Sequence, residues 1–172
     1  MIAPRMIDSH AHIVYGVDDG AIDAAMSLAM LRDMQRQGVG AVLCTSHSSI
    51  DMEKYHAHFD DLCARARAEG ITVRLYRGCE VACGRLWMHI ILRQIRENYL
   101  PLMNGSNCIL AEFAPYTYTD EIIDCVSQLQ QQTNLQVVIA HPERYRALQE
   151  NYAAARTLTI FSAVRVHKSG IG

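Results

Sequence analysis

The sequence predicts an α/β protein of parallel strands whose carboxyl ends share one mouth, and three observations carry that prediction. Short apolar runs alternate with stretches of helical periodicity, which is the pattern of βα units in a parallel sheet. Five successive apolar runs end at a His or a Glu. The first of them, Ile7-Asp-Ser-His-Ala-His12, carries His10 and His12 two residues apart. On a strand such residues share a face, so two imidazoles can reach one point in space.

Taken in order, Met6 and Ile7 begin a strand that runs into His10 and His12, and a turn follows at Gly16-Val-Asp-Asp-Gly20. Asp23 is placed to cap a helix. Met26, Met30 and Met34, with Ala29 and Leu31, repeat at helical spacing until Gly38 and Gly40. Residues 40–45 read as a strand entering Ser46-His47-Ser48. Tyr55, Phe59, Leu62 and Ala66 mark one face of a second helix, which Gly70 stops. Residues 71–76 read as a strand that ends at Gly78-Cys79-Glu80. A third helix spans 86–97, with Trp87, Ile91 and Ile95 on one stripe, and Pro101, Asn104 and Gly105 form a loop. Residues 107–111 are a strand ending at Glu112. Thr119, Asp120 and Glu121 open a fourth helix whose core face carries Ile122, Val126 and Leu129. Residues 136–140 are a strand ending at His141-Pro-Glu-Arg144. Beyond it, residues 153–158 can form a helix and 163–166 a sixth strand ending at His167.

In an α/β barrel the strand C-termini converge on the active-site mouth. His10 and His12, His47, Glu80, Glu112 and His141 would therefore meet there. Imidazoles mixed with carboxylates suit divalent transition ions, so the set reads as a polynuclear metal site. A second His-x-His, His56 and His58, lies in the second helix. Residues two apart on a helix point about 200° apart, so this pair cannot chelate one ion and reads as exposed. His89 reads as structural.

Composition narrows the function. The 172 residues are 50% hydrophobic and 20% charged, enough for one sizeable core in a single domain spanning 1–172. A net charge of -2 without a basic stripe gives no footprint for nucleic acid. No apolar run is long enough to span a membrane, and Asp8 and His10 interrupt any signal-peptide hydrophobic region. The six cysteines, Cys44, Cys63, Cys79, Cys83, Cys108 and Cys125, are scattered, which points to buried thiols in a reducing cytoplasm.

These pieces together resemble the polymerase and histidinol phosphatase (PHP) superfamily of metal-dependent phosphoesterases. Within it the chain is similar to the bacterial manganese-dependent protein-tyrosine phosphatases of capsule and exopolysaccharide synthesis. The pieces that carry the resemblance are residues 7–13, Gly16-Val-Asp-Asp-Gly20, Thr45-Ser-His47, Gly78-Cys-Glu80, Glu112-Phe113 and Ala140-His-Pro-Glu-Arg-Tyr145. The resemblance covers roughly residues 6–151. It implies a distorted (β/α)7-type barrel of parallel strands holding two or three divalent ions, with Mn foremost and Fe, Zn or Mg as alternatives. It further implies His10, His12, Asp19, His47, Glu80, Glu112 and His141 as metal ligands, with Glu80 bridging. Asp18 is implied as a turn residue behind the ligands, and Arg144 as the group that handles phosphate. The implied reaction is hydrolysis of phosphotyrosine in proteins by a metal-activated hydroxide, the substrate being a bacterial tyrosine kinase tail.

The chain departs from that family beyond residue 145, where it has no Asp and hence no Asp-x-His. The expectation is an incomplete barrel, without the last β/α units and with unpaired edge strands that invite a homo-oligomer. Three other readings stay open. Cys79 to Arg85 fits Cys-x5-Arg, the phosphate loop of cysteine-dependent phosphatases. Another PHP phosphoesterase, such as a histidinol phosphatase or an exonuclease, would use the same ligands. A non-catalytic or weakened relative would keep the fold and bind a phosphorylated partner.

Overall fold

The computed structural model describes residues 6–150. Five parallel strands alternate with helices: β1 (Met6–Ala11), α1 (Ala24–Arg36), β2 (Val39–His47), α2 (Met52–Ala68), β3 (Arg74–Ala82), α3 (Met88–Arg96), β4 (Cys108–Glu112), α4 (Thr119–Thr133), β5 (Gln136–Ile139) and α5 (Arg146–Gln149). Single 3₁₀ turns lie at Met103–Gly105 and Pro142–Arg144. The sheet order is β1-β2-β3-β4-β5, with every neighbouring pair parallel. A doubly wound sheet would reverse its strand order; an unreversed order winds one way and curls. The result is a curled half-barrel, the expected incomplete PHP-type architecture. Among the described residues β1 and β5 are its edges. The expected helix at 153–158, the strand at 163–166 and His167 lie outside the described residues.

The helix signals act as the sequence predicts at most positions. The Asp23 carboxylate accepts from the Met26 N–H at 2.8 Å and starts α1. Asp51 caps α2 by accepting from the Glu53 and Lys54 N–H groups. Gly70, at φ +70°, ends α2, and the next N–H, of Ile71, reaches back to Ala66 O at 2.9 Å. The apolar faces of α2 (Tyr55, Phe59, Leu62, Ala66) and α4 (Ile122, Val126, Leu129) are buried as the spacing requires.

Three expectations are corrected. The α1 stripe is shifted rather than replaced: Leu31 is buried and Met30 and Met34 pack against the core, but Met26 and Ala29 are exposed, and Ser27 and Leu28 are buried in their stead. The Ser27 hydroxyl donates to Ile13 O at 2.6 Å, and this bond turns a polar residue inward. Trp87 stands at the N-cap of α3 and is exposed, so Met88, Ile91 and Leu92 form the packed stripe instead. The third strand starts at Arg74 rather than residue 71, because both the N–H and the hydroxyl of Thr72 bond the Gln35 side chain (2.6 and 2.9 Å). It also continues through Glu80, since Thr45, Ser46 and His47 pair with Gly78, Cys79 and Glu80.

Helix α2 is tied directly to the strands that carry the site. Tyr55 is buried, and its hydroxyl donates to Cys44 O at 2.7 Å and accepts from the Gly78 N–H at 3.2 Å. That links the helix to β2 and β3 a few residues before His47 and Glu80.

Candidate metal centre

The strand C-termini open into a cleft of about 560 Å3. It is lined by His10, His12, Asp19, His47, Glu80, Glu112, His141 and Arg144, the whole set singled out from the sequence. β1 brings in His10 and, just past its end, His12. The parallel register sets His47 beside Glu80. Glu112 is the last residue of β4, and His141 follows β5 in a left-handed conformation at φ +31°. A break in register between Asp8 and Ala11 lies beside His10, the kind of irregularity that re-aims side chains near active sites.

Glu80 is the hub. Its carboxylate is 1% exposed and lies within 2.8 Å of His141 Nε2, 3.1 Å of His10 Nε2, 3.1 Å of His12 Nε2 and 3.3 Å of His47 Nδ1. Glu112 approaches His141 and His47 at 3.4 and 3.6 Å. Asp19 Oδ1 is 3.5 Å from both His12 Nδ1 and His47 Nε2. Two ligand triads are compact enough to hold an ion and share Glu80: His10, Glu80 and His141, and His12, His47 and Glu80. A third is His12, Asp18 and Asp19.

Behind the cleft, other side chains fix the imidazoles. His12 Nδ1 is 2.8 Å from Asp18 Oδ2, so its N–H points away from the cleft and Nε2 points in. Asp18 also accepts from the Gly20 and His47 N–H groups (3.1 and 3.2 Å), in keeping with a turn residue behind the ligands. His10 Nδ1 is 2.6 Å from Thr45 Oγ1, which also accepts from the Ala11 N–H. His141 Nδ1 is 3.3 Å from the hydroxyl of the fully buried Tyr145, which accepts from the Phe113 N–H at 3.1 Å. Such outer partners set the tautomer and aim of metal-binding histidines. Thr45 and Tyr145 stand inside the Thr45-Ser-His47 and Ala140-His-Pro-Glu-Arg-Tyr145 pieces, but the sequence reading gave them no role.

The donor set fits divalent cations. One buried carboxylate cannot balance four imidazolium ions, whereas a neutral imidazole that turns its lone pair into the cleft, as His12 does when its Nδ1–H bonds Asp18, can give that pair to a cation. Four imidazoles with Asp19, Glu80 and Glu112 form a mixed N/O set of the kind borderline divalent ions take.

Charge coupling among these side chains has a measurable consequence. Hydrogen bonds to Asp18 and then to Glu80 raise His12 from the ordinary 6.5 to about 10. Burial opposes ionisation of Glu80, but bonds from His10 and His12 outweigh it and hold the carboxyl far below the usual range. The His12 contribution to stability is therefore complete below pH 6.5 and is lost as pH rises through about 10. The Glu80 contribution is complete above the ordinary 4.5 and is lost as pH falls below it. Chelator-stripped protein should melt highest at roughly pH 5–6 and progressively lower towards pH 9. A divalent ion displaces the same proton, so the rise in Tm on adding manganese should be larger at pH 8 than at pH 6. Melting scans of both forms check this, and a stripped-protein Tm that is flat from pH 6 to pH 9 would contradict it.

The Cys-x5-Arg alternative has no loop to work on. Cys79 lies inside β3, buried in the core, and burial pushes its thiol up to about 12, away from a reactive thiolate. Its neighbour Glu80 takes the cleft side of the strand. Arg85 is committed to Asp124 at 2.9 Å on the surface. Cys79→Ser should cost about 1–3 kcal/mol of stability for a buried hydroxyl and leave turnover near the parent's. Loss of turnover by orders of magnitude in a folded variant would return the chemistry to the thiol.

The second His-x-His also differs from its expectation. His56 and His58 are half-buried rather than exposed, and His58 Nδ1 bonds Tyr15 O at 2.8 Å. His89, by contrast, is exposed.

Comparison with known proteins agrees with this architecture. The family described as capsular polysaccharide synthesis, CpsB/CapC, matches residues 6–167. The tyrosine-protein phosphatase CpsB of Streptococcus pneumoniae is 32% identical over 158 residues, covering 89% of this chain and 63% of that protein. The tyrosine-protein phosphatase YwqE of Bacillus subtilis (strain 168) is 32% identical over 152 residues, covering 85% and 58%. A solved structure from work on YwqE and CpsB, described as unique metal-dependent tyrosine phosphatases, superposes with a TM-score of 0.80 at 28% identity. It covers 91% of this chain and 63% of the solved one. The chain thus spans about three fifths of the length of the relatives it matches.

Proposed function

The chain belongs to the CpsB/CapC family of capsular polysaccharide synthesis, and from that premise we propose that it is a metal-dependent protein-tyrosine phosphatase domain. The observation that carries the reading is the buried Glu80 carboxylate ringed by four imidazoles at the strand mouth, with Arg144 on the same wall. His10, His12, Asp19, His47, Glu80, Glu112 and His141 would hold two or three divalent ions, Glu80 being shared between them. Manganese is the proposed metal, and the mixed N/O donor set supports it over softer ions.

Bound ions would supply Lewis acidity, acidifying water and offsetting charge on the phosphoryl oxygens. The protein's own groups do the rest. Arg144 is exposed at the cleft wall, and among the described residues its guanidinium makes no ion pair, so it is free to take two phosphoryl oxygens in a planar fork. The curled sheet holds His10, His47, Glu80 and Glu112 on its strands, with His12 and His141 just past strand ends and Asp19 on the β1–α1 loop, so most of the donors have their spacing fixed by the sheet. A phenolate leaves readily, so strong protonation of the leaving oxygen is not required.

The substrate we propose is the phosphorylated tail of a tyrosine kinase of capsule or exopolysaccharide synthesis. The proposed setting is the cytoplasm, supported by six free thiols. Among the described residues no helix is long and apolar enough to cross a membrane. A homo-oligomer is the proposed working state, supported by the β1 and β5 edges, which are unpaired among the described residues. The test is turnover of a phosphotyrosine peptide, histidinol phosphate and a phosphodiester by stripped and manganese-loaded protein. Manganese-dependent release of phosphate from the peptide in preference to the other two is expected. Preference for histidinol phosphate would reassign the substrate, and peptide binding without release would make the chain a binding module.

A further inference from the structure

The turn that carries Asp18 and Asp19 is held from behind by a helix that contributes nothing to the cleft. Between β1 and α1 the chain closes a loop: the Gly16 N–H donates to Ala21 O at 2.7 Å, and the Ala21 N–H donates to His12 O at 3.1 Å. Gly20 packs so tightly on His12 that a Cβ there would lie 2.1 Å from its carbonyl oxygen. Gly16 turns the chain at φ +64°. The first arm of the loop, Tyr15-Gly16, then docks on one face of α2.

Four contacts make that dock. His58 Nδ1 donates to Tyr15 O at 2.8 Å, and Lys54 Nζ donates to Gly16 O at 2.7 Å. The Tyr15 hydroxyl donates to Asp61 Oδ2 at 2.6 Å. The Tyr15 ring stacks on the His58 imidazole, centroids 4.4 Å apart and planes 27° from parallel. Arg65 Nε donates to the same Asp61 oxygen and holds it in place. Lys54, His58, Asp61 and Arg65 follow one another at three- and four-residue steps, the spacing of a single helix face.

The same helix is fastened through Tyr55 to Cys44 O and the Gly78 N–H, on the strands that deliver His47 and Glu80. Helix α2 is thus the common reference for two parts of the site: strand ends on one side, the Asp18–Asp19 loop on the other. The loop needs such a reference. Asp18 is tied to His12 and His47, but Asp19 is 80% exposed and comes no nearer than 3.5 Å to either.

We infer that His58, acting with Tyr15, is a positioning residue that pins the β1–α1 loop to α2 and so keeps Asp19 within reach of the ion held by His12 and His47. The inference rests on the metal-centre reading and gives a role to the His-x-His motif that the cleft does not use.

The test uses the full chain with three variants. His58→Phe keeps an aromatic ring against Tyr15 and loses the donor. His58→Asn returns an N–H at the δ position. Tyr15→Phe removes only the bond to Asp61. Amide hydrogen exchange over residues 16–20 is followed in stripped protein, manganese affinity by titration calorimetry, and folding by Tm. His58→Phe should speed loop exchange and weaken manganese binding about tenfold or more, the lower range for loss of an outer-sphere partner. Its Tm should stay near the parent's, and His58→Asn should recover most of the affinity. Parental exchange and affinity in His58→Phe, or an Asn variant no better than the Phe variant, overturns the inference. If His58→Phe does not fold, Tyr15→Phe decides in the same directions, and parental values in it overturn the inference. A parent chain that binds no manganese would sink the metal-centre reading, and loop exchange alone would then decide whether His58 pins the loop.

Discussion

Replacing Glu80 by Gln should empty the cleft of metal while leaving the fold standing. The exchange is nearly isosteric, and β3 is held by its register with β2 and β4 rather than by this side chain. What goes is the one negative charge on which four imidazoles converge. Because two ligand triads share Glu80, its loss weakens both ions together. Manganese affinity should fall more than about 100-fold, the upper figure for loss of a partner that only supports a ligand. Phosphotyrosine turnover should fall at least in proportion. The stripped variant should also lose part of the pH dependence of its Tm between 6 and 9, because the second of the two bonds that raise His12 is gone while the larger one, to Asp18, stays. A variant with parental metal content would remove Glu80 from the centre of the account.

Arg144→Ala should produce the opposite pattern: full metal content and a large loss of catalysis. Arg144 lines the cleft without belonging to any of the ligand triads. Its fork is suited to the phosphoryl oxygens as charge develops on them. Removing one such donor costs about 10^2–10^3 in rate in comparable sites. Arg144→Lys should recover only part of it, since an ammonium is a point charge without the paired geometry. Steady-state kinetics with elemental analysis on the same samples separates this from Glu80→Gln. Loss of metal in Arg144→Ala, or unchanged kcat/KM, would contradict the assignment.

The cleft that gathers the candidate ligands was legible in the sequence because strand physics leaves a linear trace. A parallel sheet brings every strand C-terminus to one edge, so His10, His47, Glu80, Glu112 and His141 could be read from five apolar runs. What holds those residues left no such trace. Thr45 reaches His10 across 35 residues, and Tyr145 ties His141 to the Phe113 N–H just past β4, both through contacts that exist only after pairing. His58 looked idle because its partner is a backbone carbonyl 43 residues away, which no residue pattern announces. The α1 stripe is shifted for a related reason: Leu31, Met30 and Met34 pack inward as the spacing allows, but Ser27 is buried beside them, its hydroxyl bonded to Ile13 O, and no periodicity of apolar residues marks it. Strand ends slipped where side chains compete for backbone groups, as Gln35 does at Thr72.

Metal content per folded chain tests the central claim most directly. Protein purified without a metal-affinity tag, loaded with manganese and freed of excess, would be measured by elemental analysis against folded concentration. The account predicts two to three ions per chain, falling to none or one in Glu80→Gln with Tm showing an intact fold. A parent chain that holds none would mean that the strand-end imidazoles and carboxylates do not form a metal centre in this protein.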